Sequence, residues 1–298
     1  MCSSDLPAGG GTVSNSTVSI TFPPGAASEG GNFQATLSPF DLDTQDIPAT
    51  LFAGSRGYTM PSGFMLGTLA FQVTTTTADG RALTAFGQPV TVRLTAPAED
   101  LRRAGGDVNR IVVMRFNSGS RSWVDVPTRP DLLGAVNASI SGPGVFAVAV
   151  QVPVPGITGP NNSDASGGLA PKLQWTVPTG AQWYHLQVIP FNQDGPGIDL
   201  LVGDPDQVAA GSYQVAAPRI GGGNYVLLPG MSYVWRIRSS PSTAAVGITD
   251  PVWSDWASGS FRTPAPSSRG ITATAPAEGS AVANLTPALT WNNSDTTA

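Results

Sequence analysis

From Leu227 to Arg238 the chain reads Leu-Leu-Pro-Gly-Met-Ser-Tyr-Val-Trp-Arg-Ile-Arg, and few folds can hold such a stretch. Pro229-Gly230 is a turn signal. After it, Tyr233, Trp235 and Ile237 alternate with Val234, Arg236 and Arg238. A period of two marks a strand with large apolar side chains on one face and arginines on the other. The apolar face needs a second layer to cover it, which points to a sheet packed on a sheet. Trp253-Ser254-Asp255-Trp256 then supplies two rings that can stack on the arginines.

Composition extends this reading to the whole chain of 298 residues, long enough for two ordinary domains and part of a third. Glycine (35) and proline (27) make up about a fifth of it, against ordinary usage of about 12%. That content breaks helices, and the Val, Thr, Ile and aromatic runs between the breaks favour strands. Seven tryptophans and 41% apolar residues argue for packed cores over disorder. The fold class expected is all-β: tandem antiparallel β-sandwich domains of immunoglobulin or fibronectin-like type, joined by Pro/Gly-rich linkers. A formal net charge of −5, with Lys172 the single lysine, leaves no basic patch to neutralise phosphates, so nucleic acid is not an expected partner. No apolar run approaches the roughly 20 residues of a membrane helix.

Met1-Cys-Ser-Ser-Asp-Leu6 matches the translation of a sequencing adapter, so residues 1–6 are read as an artefact and a signal peptide as lost by truncation. A single cysteine cannot form a disulfide within the chain. Residues 7–151 are read as a first sandwich. Residues 152–168 carry turn formers without periodicity and are read as a linker. Residues 169–263 form a second sandwich, 264–269 a short stiff linker, and 270–298 the truncated start of another copy. Leu169-Ala-Pro-Lys-Leu-Gln-Trp175 matches Leu285-Thr-Pro-Ala-Leu-Thr-Trp291, and Gly156-Ile-Thr158 recurs as Gly270-Ile-Thr272. Offsets of this size fit a sandwich plus linker.

In the first segment Val18, Ile20 and Phe22 alternate up to Pro23-Pro-Gly25, and further strands center on Leu69–Val73, Val90–Leu94, Ile111–Arg115 and Phe146–Val150. Asn117-Ser-Gly119 before Ser122-Trp123-Val124 signals a hairpin, and Ala98–Arg103 reads as a short helix. Gly9-Gly-Gly11-Thr-Val13 followed by Val18-x-Ile20-x-Phe22-Pro23-x-Gly25-Ala26, with the late hairpin Arg121-Ser-Trp123-Val-Asp-Val126, resembles the ZU-five β-sandwich module of ankyrins, netrin receptors and bacterial envelope proteins. That resemblance covers most of residues 9–151 and implies a sandwich. The cytoskeletal binding of the eukaryotic module is not carried over.

In the second segment Leu173-x-Trp175, Tyr184-x-Leu186-x-Val188 and Leu227-x-Pro229-Gly230-x-x-Tyr233-x-Trp235-x-Ile237 resemble strands B, C and F of a fibronectin type III domain, with Phe261-x-Thr263 in strand G. Leu227, Pro229, Gly230 and Tyr233 would then form a tyrosine corner, the ring packed inward and its hydroxyl bonded to nearby backbone. The insert from Asn192 to Gln207 departs from the family. Trp253-Ser-Asp-Trp256-Ala257 is similar to the W-S-x-W-S box of cytokine-receptor fibronectin domains, with Ala257 in place of the last serine.

Four side chains carry the site expectation. Trp253 and Trp256, three residues apart, would face one side about 9 Å apart if the segment is polyproline-like. Arg236 and Arg238 would share a strand face about 7 Å apart. The four could interleave as a cation–π ladder, either as a recognition surface or as a brace for the domain edge. His185, the one histidine, falls on the strand face opposite Tyr184 and Leu186 and is expected at the surface. No catalytic residue is expected: a catalytic histidine would need a nucleophile and an orienting acid, and the sequence places neither beside His185. No cofactor is expected; calcium would need the loop acids Asp41, Asp43 and Asp46, or Asp194, Asp199, Asp204 and Asp206, and neither set has EF-hand spacing.

The function expected is that of a non-catalytic fragment of a secreted or cell-surface, bacterial multidomain protein, acting as structural spacer, adhesion or ligand-presenting module. Its partner would be a protein or glycan ligand. Two alternatives remain: an accessory sandwich region of a larger extracellular hydrolase or carbohydrate-active enzyme, or the ectodomain of a membrane sensor.

Overall fold

A computed structural model describes residues 1–27, 31–40, 59–161, 164–165, 168–191, 197–215, 227–248, 252–265, 272–275 and 290–292. The first sandwich is built from β1 (Cys2–Leu6), β2 (Gly11–Ser14), β3 (Val18–Phe22), β4 (Phe33–Pro39), β5 (Phe64–Thr77), β6 (Val90–Thr95), β7 (Ile111–Asn117), β8 (Ser122–Val126), β9 (Thr128–Pro130), β10 (Ala135–Ile140) and β11 (Gly144–Gln151). One sheet runs β1-β4-β5-β11-β7-β8 and the other β2-β3-β6-β10-β9. The alternating residues meet between them. Val18, Ile20 and Phe22 with Val90, Val92 and Leu94 come from one sheet, and Phe71, Val73, Phe146, Val148 and Val150 from the other. Burying such a side chain contributes about 1.5–3 kcal/mol. Residues 1–6, expected as adapter translation, include β1, which pairs with β4 and buries Leu6 in this core.

The expected short helix is α1 (Ala98–Arg103). Its Asp100 is fully buried, and an unpaired carboxylate there would be costly. Thr68 resolves this by donating its backbone N–H at 2.9 Å and its hydroxyl at 3.1 Å, which pins α1 to β5. A Cβ at Gly67 would lie 2.5 Å from the Asp100 carboxylate, so the approach needs glycine.

The second sandwich comprises β12 (Gly156–Gly159), β13 (Asp164–Ala165), β14 (Lys172–Thr176), β15 (Trp183–Pro190), β16 (Ile198–Val202), α2 (Pro205–Ala210), β17 (Ser212–Gln214), β18 (Ser232–Ser240) and β19 (Ala257–Arg262). Its sheets run β12-β14-β17 and β13-β19-β18-β15-β16. Residues 152–168, expected as a linker, instead supply β12 and β13, and only residues 152–155 separate the two sandwiches. Both new strands lie at sheet edges, where Gly and Pro are tolerated because one side of the backbone needs no partner. The insert supplies β16 and the start of α2, capped by the Asp204 side chain. The core holds Leu173, Trp175, Tyr184, Leu186, Val188, Tyr233, Trp235, Ile237 and Phe261.

A further strand pair, β20 (Thr272–Ala275) with β21 (Thr290–Asn292), repeats the first pairing of the second sandwich. Ile157 opposes Trp175 and Ala273 opposes Trp291, and each ladder shifts register two residues later. Both strands, and the irregularity between them, therefore recur at one offset of 116.

The two sandwiches touch. Ser62 Oγ donates to Asp255 Oδ1 at 2.5 Å, Ser239 Oγ to the Pro153 carbonyl at 2.5 Å, and Arg102 Nη2 to the Pro241 carbonyl at 3.4 Å. Val252 packs against the first core. Gly63 has a φ of +77°, and a Cβ there would meet the Asp255 carboxylate at 2.8 Å.

Candidate functional site

Strand β18 puts Tyr233, Trp235 and Ile237 into the core and Arg236 and Arg238 on the outer face. Its neighbour β15 places His185 directly opposite Arg238 and Gln187 opposite Arg236. On the far side, β16 sets Asp199 opposite Gln187. Trp253 and Trp256 lie across these outward residues. The Arg236 guanidinium sits 4.4 Å from the Trp256 ring, and Arg238 lies 4.5 Å from Trp256 and 5.1 Å from Trp253. The order along the stack is Trp253, Arg238, Trp256, Arg236. The residues expected to interleave are thus brought together.

Sequence reasoning placed His185 at the surface, and this is corrected: the side chain is 1% exposed. The strand face was right, but that face is roofed. Trp256 lies 4.9 Å and Trp253 5.8 Å from the imidazole, ring center to ring center. The imidazole is bonded at both nitrogens. Arg238 Nε donates to Nδ1 at 3.1 Å, and Nε2 lies 2.5 Å from Asp199 Oδ1. An arginine Nε can only donate, so Nδ1 is the acceptor and Nε2 carries the proton toward Asp199. Burial, countered in part by the Asp199 bond, pushes the His185 pKa below its ordinary value of 6.5, with Arg238 and Arg236 adding to the fall. Gln187 extends the row, donating to Asp199 Oδ2 at 3.1 Å and accepting from Arg236 Nε at 2.7 Å. Asp199 therefore bonds within the row. His185, Gln187 and Asp199 were missed as members. The signal was the pairing of the strands on either side of the arginine strand, which sets outward residues beside outward residues.

The box is tied to β18 by backbone. Ser254 N donates to the Ser239 carbonyl at 2.9 Å, and Ser239 N donates to Ser254 Oγ at 3.0 Å. Trp253 Nε1 donates to the Gly247 carbonyl at 2.9 Å, and Arg238 Nη2 to that of Ile248 at 2.6 Å. Ala257 starts β19 opposite Ile237, so the residue that replaces serine is held by the sheet.

At the other end of β18 the tyrosine corner is formed. Leu227 and Tyr233 are buried, and Leu228 N donates to the Tyr233 hydroxyl at 2.7 Å. Gly230 takes a φ of +71° in the turn after Pro229 and donates its N–H to the Pro264 carbonyl at 2.7 Å. The Tyr233 ring stacks on Phe261 at 5.3 Å.

Chemically, this arrangement is a closed hydrogen-bond row under a stack, with each imidazole nitrogen committed. Among the described residues no group of three or more His, Cys, Asp or Glu is placed to hold a metal ion. Asp204 and Asp206 sit at the α2 start, Asp204 as its cap. Asp41, Asp43, Asp46 and Asp194 lie outside the described residues. Among the described residues no helix is long and apolar enough to cross a membrane.

No protein-family model and no curated protein matches the chain. Among solved structures, the chain is similar to the fibronectin type III domain of human collagen alpha-1(XX) chain, at 18% identity and a TM-score of 0.26. That match covers 38% of this chain and 86% of the collagen domain. The chain is all-β, with antiparallel sheets consistent with fibronectin-like sandwiches.

Proposed function

We propose that the chain is a non-catalytic module of a secreted or cell-surface multidomain protein, a stiff spacer that presents a ligand-binding end. The observation that carries this reading is the use of the Trp253–Trp256 box. Its inner side braces the second sandwich through the Trp/Arg stack, and its Asp255 reaches Ser62 of the first. A connection of four residues, bridged by Ser239 and Pro153, supports a fixed angle between the sandwiches. The likeness of residues 9–151 to modules of bacterial envelope proteins supports an exported setting, and the partner is then a protein or glycan outside the cell.

Small-angle X-ray scattering of the chain tests the spacer. The profile should fit one fixed arrangement of the two sandwiches, and Asp255→Ala should broaden it toward a hinged ensemble. A wild-type profile that needs freely hinged sandwiches would overturn the reading.

A further inference from the structure

On β7 the inward positions run Ile111, Val113, Arg115, so a cation stands where the alternation calls for an aliphatic side chain. Its cross-strand partners confirm the face. Val124 of β8 lies opposite it on one side and Phe146 of β11 on the other, and Phe146 in turn opposes Phe71. Arg115 is therefore the one charged member of the row Val124, Arg115, Phe146, Phe71.

The row ends in a cleft of about 410 Å³ between the two sheets, lined by Val124, Val126, Ile140 and Phe146 and by the polar residues Asn117 and Ser141 among others. That volume falls within the range of about 300–1,000 Å³ typical of small-ligand sites. The guanidinium is held in place, Nη2 donating to the Pro143 carbonyl at 2.8 Å. It lies against two glycines: a Cβ at Gly144 (φ +151°) would come within 3.1 Å of Nε, and one at Gly142 within 3.7 Å of Nη2. Arg115 makes no ion pair with a described carboxylate, and its other side-chain donors have no protein acceptor among the described residues. A half-buried fork of donors without an anion is matched to a carboxylate, which it takes bidentately.

We propose that this cleft binds an acidic sugar residue, a hexuronate, through Arg115. The carboxylate fills the guanidinium fork. Ring hydroxyls meet the serine and asparagine groups of the lining, which a bare carboxylate ligand would leave unused. The aliphatic walls cover the C–H face of the ring. The cleft lies where β11 begins, and the end of that strand leads into the second sandwich, so the site occupies the free end of the first. This deepens the ligand-presenting part of the proposed function by naming a ligand class. It is tested apart from the spacer, because binding at the free end does not require a fixed angle between sandwiches.

The full chain, labelled with nitrogen-15, is titrated with sodium methyl β-D-glucuronide, with methyl β-D-glucoside and sodium acetate as parallel arms. Saturable amide shifts at Arg115, Val124 and Ser141 are expected with the glucuronide, and binding at least about tenfold weaker for each control, as for loss of one charge-assisted contact. Arg115→Gln should abolish the shifts. Val124→Trp, which leaves the charge in place and fills the mouth of the cleft, should do the same and covers the case in which Arg115→Gln fails to fold. Absence of saturation with the glucuronide, equal response to glucoside or acetate, or undiminished binding by a folded variant would each overturn the proposal.

Discussion

Arg238 Nε lies 3.1 Å from His185 Nδ1, and this contact fixes the protonation of the row beneath the tryptophans. A protonated imidazole would carry hydrogen on both nitrogens and would point one of them at an arginine that can only donate. It would also set a third positive charge beside Arg236 and Arg238, with Asp199 the single facing carboxylate in the row.

Acid should therefore loosen the second sandwich. The native pKa of His185 is depressed below the ordinary 6.5, so the unfolded chain binds this proton first as pH falls. The stabilisation is fully present above about 6.5 and declines below it, by up to about 1.4 kcal/mol per pH unit, until the native value is reached. Urea denaturation at intervals between pH 7.5 and 5 measures this. A histidine-free variant, His185→Gln, should show a flatter profile over the same window. Equal slopes in the two proteins would show that His185 does not bear the dependence.

The two arginines should not be equivalent. Arg236 stacks on one ring and bonds Gln187, whereas Arg238 lies between two rings and bonds both His185 and the Ile248 carbonyl. Arg236→Ala should cost about 1 kcal/mol, the scale of an exposed cation–π contact and one hydrogen bond. Arg238→Ala should cost about 2–3 kcal/mol, since it also leaves a buried imidazole nitrogen unpaired. For a sandwich of this size each kcal/mol lowers Tm by roughly 4–8 °C, so calorimetry separates the two.

How far the sequence reveals this site follows from what is local. Alternation within β18 identifies the inward Tyr233, Trp235 and Ile237 and the outward arginines, because side-chain direction in a strand has a period of two. The tyrosine corner is equally legible, since Leu227, Pro229, Gly230 and Tyr233 are close along the chain. Strand adjacency is not local. His185 is 53 residues from Arg238, and its burial depends on β15 pairing with β18 and on tryptophans folding back across both. The mistaken linker has the opposite cause. Edge strands β12 and β13 borrow their hydrogen bonds from partners farther along the chain, so their own composition carries little strand signal.

Tyr233→Phe isolates the corner. The ring and its stacking on Phe261 remain, and the acceptor for Leu228 N is removed. The loss should be about 1–2 kcal/mol, a hydrogen bond plus partial stranding of a backbone donor. Chemical denaturation reads it, with the near-ultraviolet spectrum unchanged. A variant as stable as the wild type would mean that the hydroxyl contributes nothing to the corner.

Of the three bonds between the sandwiches, the two shortest differ in burial, and that difference predicts an order. Ser239 Oγ and the Pro153 carbonyl meet in a buried contact, whereas Ser62 and the exposed Asp255 meet near water. Asp255→Ala leaves groups that solvent can satisfy and should cost about 0.5–1.5 kcal/mol of coupling between the sandwiches. Ser239→Ala strands a buried carbonyl and should cost about 1–3 kcal/mol. The coupling appears in calorimetry as overlap of the two unfolding transitions. Separation should grow from wild type to Asp255→Ala to Ser239→Ala, with the upper transition least affected, because the sandwich that melts last loses only its neighbour. The reverse order would place the stronger link at Ser62 and make the exposed carboxylate, rather than the buried serine, the element that sets the angle.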